Sequence, residues 1–341
     1  MGVILFSSIT YFPTRGYYQD GLIFNADYAW SNLQNYSVYS PILPNSSQNQ
    51  GFLLYSKNYF ENYNWSVQIQ NWTHTNEVPL HNFIARSPNS ANNIIILGAH
   101  YDARTYADKD PDYSKRHDPV PGINDGGSGV SILFELARVL EMASDLEVWI
   151  VLFDAEDQGN IPNWNGGISG WCIGSTYFVN SLNQSIREKI KLVMILDIVG
   201  GIDLVLKREG SSNPYFIDQI WNTANNLGFN NIFLNVNGGS IIDDHTPFLN
   251  RGFPAVDIIQ QQSIDGKYTF FEWHHTTNDT IDNCDKNSLF AVGRVTEVFL
   301  ESLNGNNIIY SSDYSILIYI AVPSILVVIV GLIILKRKEI I

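Results

Sequence analysis

Residues 94–102 read IIILGAHYD, an unbroken apolar run that ends abruptly in a histidine, an aromatic and an acid. Continuous apolarity over five or six positions, rich in Ile, predicts a strand buried on both faces. Three further runs share that character: 148–153 (VWIVLF), 192–199 (LVMILDIV) and 255–259 (AVDII). Between them the chain changes period. Residues 128–142 place Ile132, Leu133, Leu136, Val139 and Leu140 at helical spacing, and 51–63, 213–227 and 287–303 are further helix candidates. Strands alternating with helices predict an α/β fold, a single α/β/α sandwich with a mostly parallel central sheet. No internal repeat or low-complexity linker divides residues 51–305, which read as one domain behind an irregular, aromatic-rich lead-in over 1–50.

In an open α/β sheet, sites form beyond the carboxyl ends of the strands. The first run passes into His100-Tyr101-Asp102, the second into Asp154-Ala155-Glu156-Asp157, and the third contains Asp197. Asp125 sits in the Gly-rich loop PGINDGGSG before a helix, and Trp273-His274-His275-Thr276 follows the last strand. Taken singly, each has a plain explanation as a helix cap or a solvated side chain. Their joint placement at successive strand ends points to a metal centre. Imidazole and carboxylate ligands suit catalytic zinc, which needs no thiolate. One carboxylate bridging two such sets would give a two-metal hydrolase centre. Of the neighbours Glu156 and Asp157, one can coordinate metal while the other moves protons, and Asp102 can hold the His100 imidazole from behind.

The composition narrows the remaining choices. Lys and Arg number 20 against 34 Asp and Glu, a net charge of −14, which excludes a nucleic-acid partner. Two cysteines, Cys172 and Cys284, build neither a disulfide framework nor a thiolate cluster, and two unpaired thiols are expected. No organic cofactor is called for. Residues 315–335 (SILIYIAVPSILVVIVGLIIL) carry no charge, and 21 residues at ~1.5 Å each span a bilayer core. A juxtamembrane linker (306–314) precedes this expected C-terminal transmembrane helix, and a short tail (336–341) opens with Lys336, Arg337 and Lys338. The positive-inside rule puts that tail in the cytoplasm and the large domain outside a cell membrane crossed once. The start, MGVILFSSITYFPTRG, lacks the form of a signal peptide. Either the true start lies upstream, which the charge asymmetry favours, or the protein is tail-anchored with its domain in the cytoplasm.

The segments GAHYDAR, PGINDGGSG, FDAEDQG, GWCIGSTYF, LDIVGG, IIDDHTPFLNRGFPAVDII and WHHTTNDT, taken in order, resemble the zinc aminopeptidase and glutaminyl cyclase family, family 28 of the clan MH metallopeptidases. The resemblance runs from about Phe24 to Leu303 and implies a zinc exopeptidase-like fold acting on peptide or protein N-termini. Position by position, it implies metal ligands at His100, Asp125, Asp157, Asp197 and His275, with Asp125 bridging and Glu156 as the general acid/base. His274 is then an extra residue, and Asp102 and His245 stand behind the ligands. Asp157 departs from the Glu often found at its position, and can still ligate zinc. An aminopeptidase of this family would use two zinc ions. A glutaminyl-peptide cyclotransferase would use one, held at Asp125, Asp157 and His275, with Asp197 and Asp244 anchoring the substrate amine. The DDHTPF segment, Trp273 before the histidines, RTYADKDPDY and the long stretch carrying Trp164 and Trp171 are most like bacterial cyclases of the animal type. The cyclase is therefore expected, with Trp171 and Trp273 in its substrate pocket; the aminopeptidase is the alternative, and a non-catalytic ectodomain a remote third.

Overall fold

The computed structural model describes residues 23–141, 145–161, 170–264 and 267–303. Chain order begins with α1 (Ala26–Ser37), α2 (Ser47–Asn62), β1 (Ser66–Thr73), β2 (Pro79–Arg86) and β3 (Asn93–His100). Next come α3 (Gly127–Val139), β4 (Leu146–Phe153), the short strands β5 (Asp157–Gln158) and β6 (Gly170–Trp171), α4 (Ile173–Ser181), α5 (Gln184–Arg187) and β7 (Ile190–Asp197). The remainder is β8 (Leu206–Arg208), α6 (Pro214–Asn226), β9 (Phe233–Asn237), α7 (His245–Leu249), β10 (Ala255–Ile259), the hairpin strands β11 (Gln262–Ile264) and β12 (Lys267–Thr269), and α8 (Lys286–Leu303).

Six strands form the central sheet in the order β1-β2-β4-β3-β7-β10. β4, β3, β7 and β10 are mutually parallel, and β2 and β1 close one edge antiparallel. The four strands legible as apolar runs are the parallel ones. Each is buried on both faces because helices cover both sides. On one face α1, α3 and α8 pack together, with α6 beside α8; on the other lie α4 and α7. Ile94, Ile96, Val151, Phe153, Val193 and Ile195 meet Phe178 of α4 and Phe248 of α7 in one apolar cluster. Parallel strands place their carboxyl ends on one edge, so His100 pairs with Phe153, and Ile259 with Asp197.

The lead-in expected to be irregular contains α1. Asn25 caps it, accepting from the backbone of Asp27 and Tyr28, and Ser46 caps α2, which starts four residues before the expected helix. The aromatic richness of the lead-in is its packing face. Tyr36 and Phe52 are buried edge to face at 5.2 Å, and Tyr36 donates from its hydroxyl to the Tyr101 carbonyl at 3.0 Å. Asn, Tyr and Ser are mediocre helix formers, so little in ADYAWSNLQNYS marks a helix until it packs on α3. β7 stops at Asp197, short of the apolar run, because Ile198 turns to a φ of 48°. Both cysteines are free and buried, as expected. Residues 304–341, with the expected transmembrane helix, lie outside the described residues. Among the described residues no helix is long and apolar enough to cross a membrane.

Gly129 lets the first turn of α3 lie directly on β7: a Cβ there would sit 2.0 Å from the Leu196 carbonyl oxygen. Backbone cannot swing aside as a flexible side chain could. Gly129→Ala is expected to destabilise the domain by about 1–3 kcal/mol, the usual cost of overpacking, read as a lower midpoint in chemical denaturation.

Candidate active site

Five segments of the chain deliver acids and histidines to the carboxyl edge of the sheet. β3 ends on His100, whose Nδ1 lies 3.0 Å from the Asp102 carbonyl oxygen; a proton there leaves the Nε2 lone pair facing the site. After β4, Ala155 takes a φ of 54° and reverses the chain, so that Glu156 and Asp157 follow side by side. The Asp102 carboxylate fixes that reversal by accepting from the Glu156 N–H at 2.9 Å and from Gln158 Nε2 at 2.9 Å. Asp125 lies in the loop before α3, where Asp279 accepts from the backbone of Asn124 at 2.8 Å and of Asp125 at 3.1 Å. Asp197, at the end of β7, accepts from the Gly126 N–H at 3.1 Å. His275 arrives on the turn after β12 with a φ of 60°.

These side chains converge on Asp125. His100 Nε2 is 3.0 Å from Asp125 Oδ1 and 3.2 Å from Asp197 Oδ1. His275 Nε2 is 3.1 Å from Asp157 Oδ1 and 3.7 Å from Asp125 Oδ2. Two ligand sets thus share one carboxylate. Asp125 Oδ2 is buried without a hydrogen-bond partner, which suits an oxygen meant for a cation. The oxygen and nitrogen donor set fits zinc. His274 also approaches Asp125 Oδ2, at 3.6 Å, and its ring lies 3.6 Å from that of His275. Lys109 Nζ stands 2.8 Å from His274 Nδ1. An ammonium can only donate, so the imidazole proton sits on Nε2 and His274 offers no lone pair to the centre.

The site concentrates negative charge. Burial pushes the Glu156 carboxyl well above its ordinary range, with Asp243, Asp244 and Asp157 pushing the same way against His100. Burial likewise raises Asp157, with Asp125 adding to it and Arg104 opposing, and lifts Asp197 to about 7 against the pull of His100. Burial would raise Asp125 too, but the bond from His100 and the pull of the surrounding imidazoles of His274, His100 and His275 hold it well below the usual range. Arg104, fully buried and missed in the sequence, balances part of this charge. It donates to Asp157 Oδ1 at 3.1 Å and grips Asp108 at 2.7 and 3.1 Å, while Asp108 reaches His275 Nδ1 at 3.7 Å.

Beside the cluster lies a cavity of about 300 Å³, with Glu156, Asp197 and Asp243 among its acids. Trp171 lines it as expected and stacks along His275, with ring centroids 6.2 Å apart. Trp273 is not among its lining residues: it packs beside Ile198, Ile259 and Phe271, and Phe270 takes the cavity wall instead. The two acids before α7 also exchange places relative to expectation. Asp243 lines the cavity while Asp244 is fully buried and does not, because successive residues of the turn into α7 face opposite ways. His245 stands behind Asp243, with Nδ1 3.4 Å from Asp257 and Nε2 3.4 Å from Glu209, one layer further from the ligands than Asp102. Trp164 lies outside the described residues.

An α/β/α sandwich with a mostly parallel central sheet and a His/carboxylate cluster at the strand ends defines a zinc-exopeptidase-like protein. Residues 82–300 match the description Peptidase family M28, and the chain belongs to that family. Glutaminyl cyclase from Porphyromonas gingivalis is 30% identical, with 82% of this chain and 99% of that one covered at a TM-score of 0.75. A leucine aminopeptidase precursor from Bacteroides thetaiotaomicron is 31% identical over 84% of this chain and 99% of its own, at 0.73. Aminopeptidase YwaD of Bacillus subtilis is 26% identical over 210 residues, and the match spans only 39% of its length.

Removing the Asp102 carboxylate should loosen the Glu156–Asp157 turn. Asp102→Ala is expected to weaken zinc binding about 10- to 100-fold, measured by competition with a chromogenic chelator. Glu209 anchors the cavity wall, accepting from the backbone of Ser212 at 2.7 Å and of Ile241 at 3.1 Å. Burial, the largest single influence, would raise its carboxyl, but the bond and charge of His245 together with the hydrogen bonds from Ser211 and Ser212 outweigh it and lower the carboxyl from 4.5 to about 2. A depressed acid stabilises above its unfolded pKa and loses that contribution as pH falls through the folded value. Glu209→Gln should therefore cost about 3 kcal/mol near pH 6, with the gap to the unchanged protein closing towards pH 2 in paired denaturation curves.

Proposed function

We propose that this chain is a zinc-dependent glutaminyl-peptide cyclotransferase, converting an N-terminal Gln into pyroglutamate with release of ammonia. The observation that carries the reading is the cavity: small, walled by Trp171 and Phe270, and edged by three carboxylates, Glu156, Asp197 and Asp243, beside the Asp125–Asp157–His275 set. A cyclisation needs one flexible residue folded on itself and its amine held still, which a tight aromatic wall and paired acids supply.

Asp125, Asp157 and His275 would hold one zinc ion, which when bound polarises the side-chain carbonyl of the substrate Gln. Asp197 and Asp243 receive the α-amine by hydrogen bonds and orient its lone pair towards that carbonyl carbon. As the new C–N bond forms, Glu156 takes the surplus amine proton. It then delivers that proton to the departing amide nitrogen, so the C–NH2 bond breaks to give ammonia. The burial of Glu156, beside the acids Asp243, Asp244 and Asp157, favours its protonated form between the two transfers, while the Cys172 thiol, donating to Oε1 at 3.4 Å, steadies the ionised form before and after them.

A specific observation supports a second reading. His100 Nε2 lies between Asp125 and Asp197, which makes a second ligand set sharing Asp125, as a two-zinc aminopeptidase requires. Glu156 would then take a proton from water, and the first peptide bond would be cut.

Incubating the zinc-loaded protein with one peptide beginning in Gln and one in Leu separates these readings. The expected product is the Gln peptide less one ammonia, uncut, by mass spectrometry; release of free Leu would overturn the cyclase reading. Glu156→Gln is expected to keep its zinc and lose about 10²- to 10⁴-fold in turnover. His100→Ala should leave most cyclase turnover intact, whereas His275→Ala should lose the zinc.

A further inference from the structure

We propose that Lys109 makes the mouth of the cavity a carboxylate-selecting subsite, so that the preferred substrates carry a carboxylate just beyond their first residue. The inference rests on the reading that peptide N-termini enter this cavity, and adds which of them. Five acids, Asp125, Glu156, Asp157, Asp197 and Asp243, line the cavity, whereas the one Lys or Arg among its lining residues is Lys109. A peptide entering amine first puts its positive end among the acids. Whatever follows the first residue meets the ammonium.

The placement of Lys109 is fixed by its neighbours. Its backbone N–H donates to the His275 carbonyl at 3.2 Å. On one side Asp108 is gripped by Arg104, and on the other Asp110 accepts from the Thr277 N–H at 2.9 Å and its hydroxyl at 2.7 Å. The loop bearing Lys109 is thus sewn to the turn that carries His275. The side chain is directed by the 2.8 Å contact with His274 Nδ1, which uses one of its three donors. The residue remains exposed at the mouth, so a carboxylate can reach the other two without being stripped fully of water. An ammonium already held in position gives up little side-chain freedom on pairing. With no cation at the mouth, the acids of the cavity would repel an anionic peptide; with Lys109 the site is negative within and positive at its rim.

The carboxylate has two sources: an acidic side chain at the second residue, or the free C-terminus of a dipeptide. Binding is to be measured by calorimetry on the full-length, zinc-loaded Glu156→Gln protein, with turnover followed separately on the unmodified enzyme. The probes are Gln-Glu-Ala-amide, its Gln-Gln-Ala-amide isostere, and the dipeptide Gln-Ala with a free or an amidated terminus. The expected result is binding on the order of tenfold tighter for the Glu peptide or for the free dipeptide, whichever source applies. Lys109→Met should erase that difference, Lys109→Arg should keep it, and raised salt should shrink it. Equal affinities within both pairs, a preference that survives Lys109→Met, or no binding of any probe would overturn the proposal. Selective binding without turnover would sink the catalytic reading and leave the subsite standing; turnover without selectivity would do the reverse.

Discussion

Repulsion among buried carboxylates is the constraint that organises this domain. Asp125, Asp157 and Asp197 are each less than a tenth exposed, within reach of the equally buried Glu156. Burial and mutual repulsion favour the protonated forms of Glu156, Asp157 and Asp197, at the cost of the ligand function, whereas Asp125 is held ionised by the imidazoles around it. A divalent ion would exchange those protons for a single charge at the centre, so zinc affinity and proton release are two sides of one equilibrium. The protein answers part of the charge itself, through the buried Arg104 on Asp157 and through backbone N–H groups aimed at Asp102, Asp197 and Asp279. Asp125, the carboxylate both ligand sets share, meets His100 through Oδ1 and keeps a buried, unpartnered Oδ2 on the side of His275.

The backbone is bent to bring these charges together. Ala155, Ile198 and His275 all have φ between 48° and 60°, and each lies beside a proposed ligand or Glu156. For a β-branched residue such as Ile198 that conformation is a real expense, of order 1–3 kcal/mol. Apolar packing holds it: Ile198 lies against Ile259 and Phe271. Asp102 holds the Ala155 reversal, and Asp110 holds the turn after His275. Strain at the strand ends and hydrogen bonds just behind them form one device, in which Asp102 holds the turn that carries Glu156 and Asp157.

Much of this was legible in the sequence, for a physical reason. Strands buried on both faces must be continuously apolar, and the residues at and just past their ends lie on the carboxyl edge of the sheet; His100, Asp157 and Asp197 were expected there and lie there. β1 was not found, since SVQIQNWT is an edge strand whose side chains are mostly wet. α1 was hidden by weak intrinsic propensity. Asp244 and Trp273 were expected at the substrate, but Asp243 and Phe270 line the cavity, because neighbouring residues in a turn can face opposite ways and only the folded backbone says which faces inward. Arg104, Asp279 and Lys109 were overlooked because a charge gives no local signal of the partner it will meet, whether 53 residues away for Arg104 or 165 for Lys109.

The same geometry explains how one scaffold can serve two reactions. Hydrolysis and cyclisation both need a carboxylate that takes a proton from a nitrogen or oxygen nucleophile and returns it to a leaving nitrogen, and Glu156, lining the cavity, is the group proposed for either. They differ in where the nucleophile comes from. A second ion on His100, Asp125 and Asp197 would supply water; leaving Asp197 free, beside Asp243, makes it an acceptor for the substrate's own amine. Asp197 cannot serve both fully at once, because its Oδ1 already meets His100 at 3.2 Å and the Gly126 N–H at 3.1 Å. Competition for that one carboxylate, between an imidazole-bound cation and a substrate ammonium, is therefore the point at which the two chemistries part.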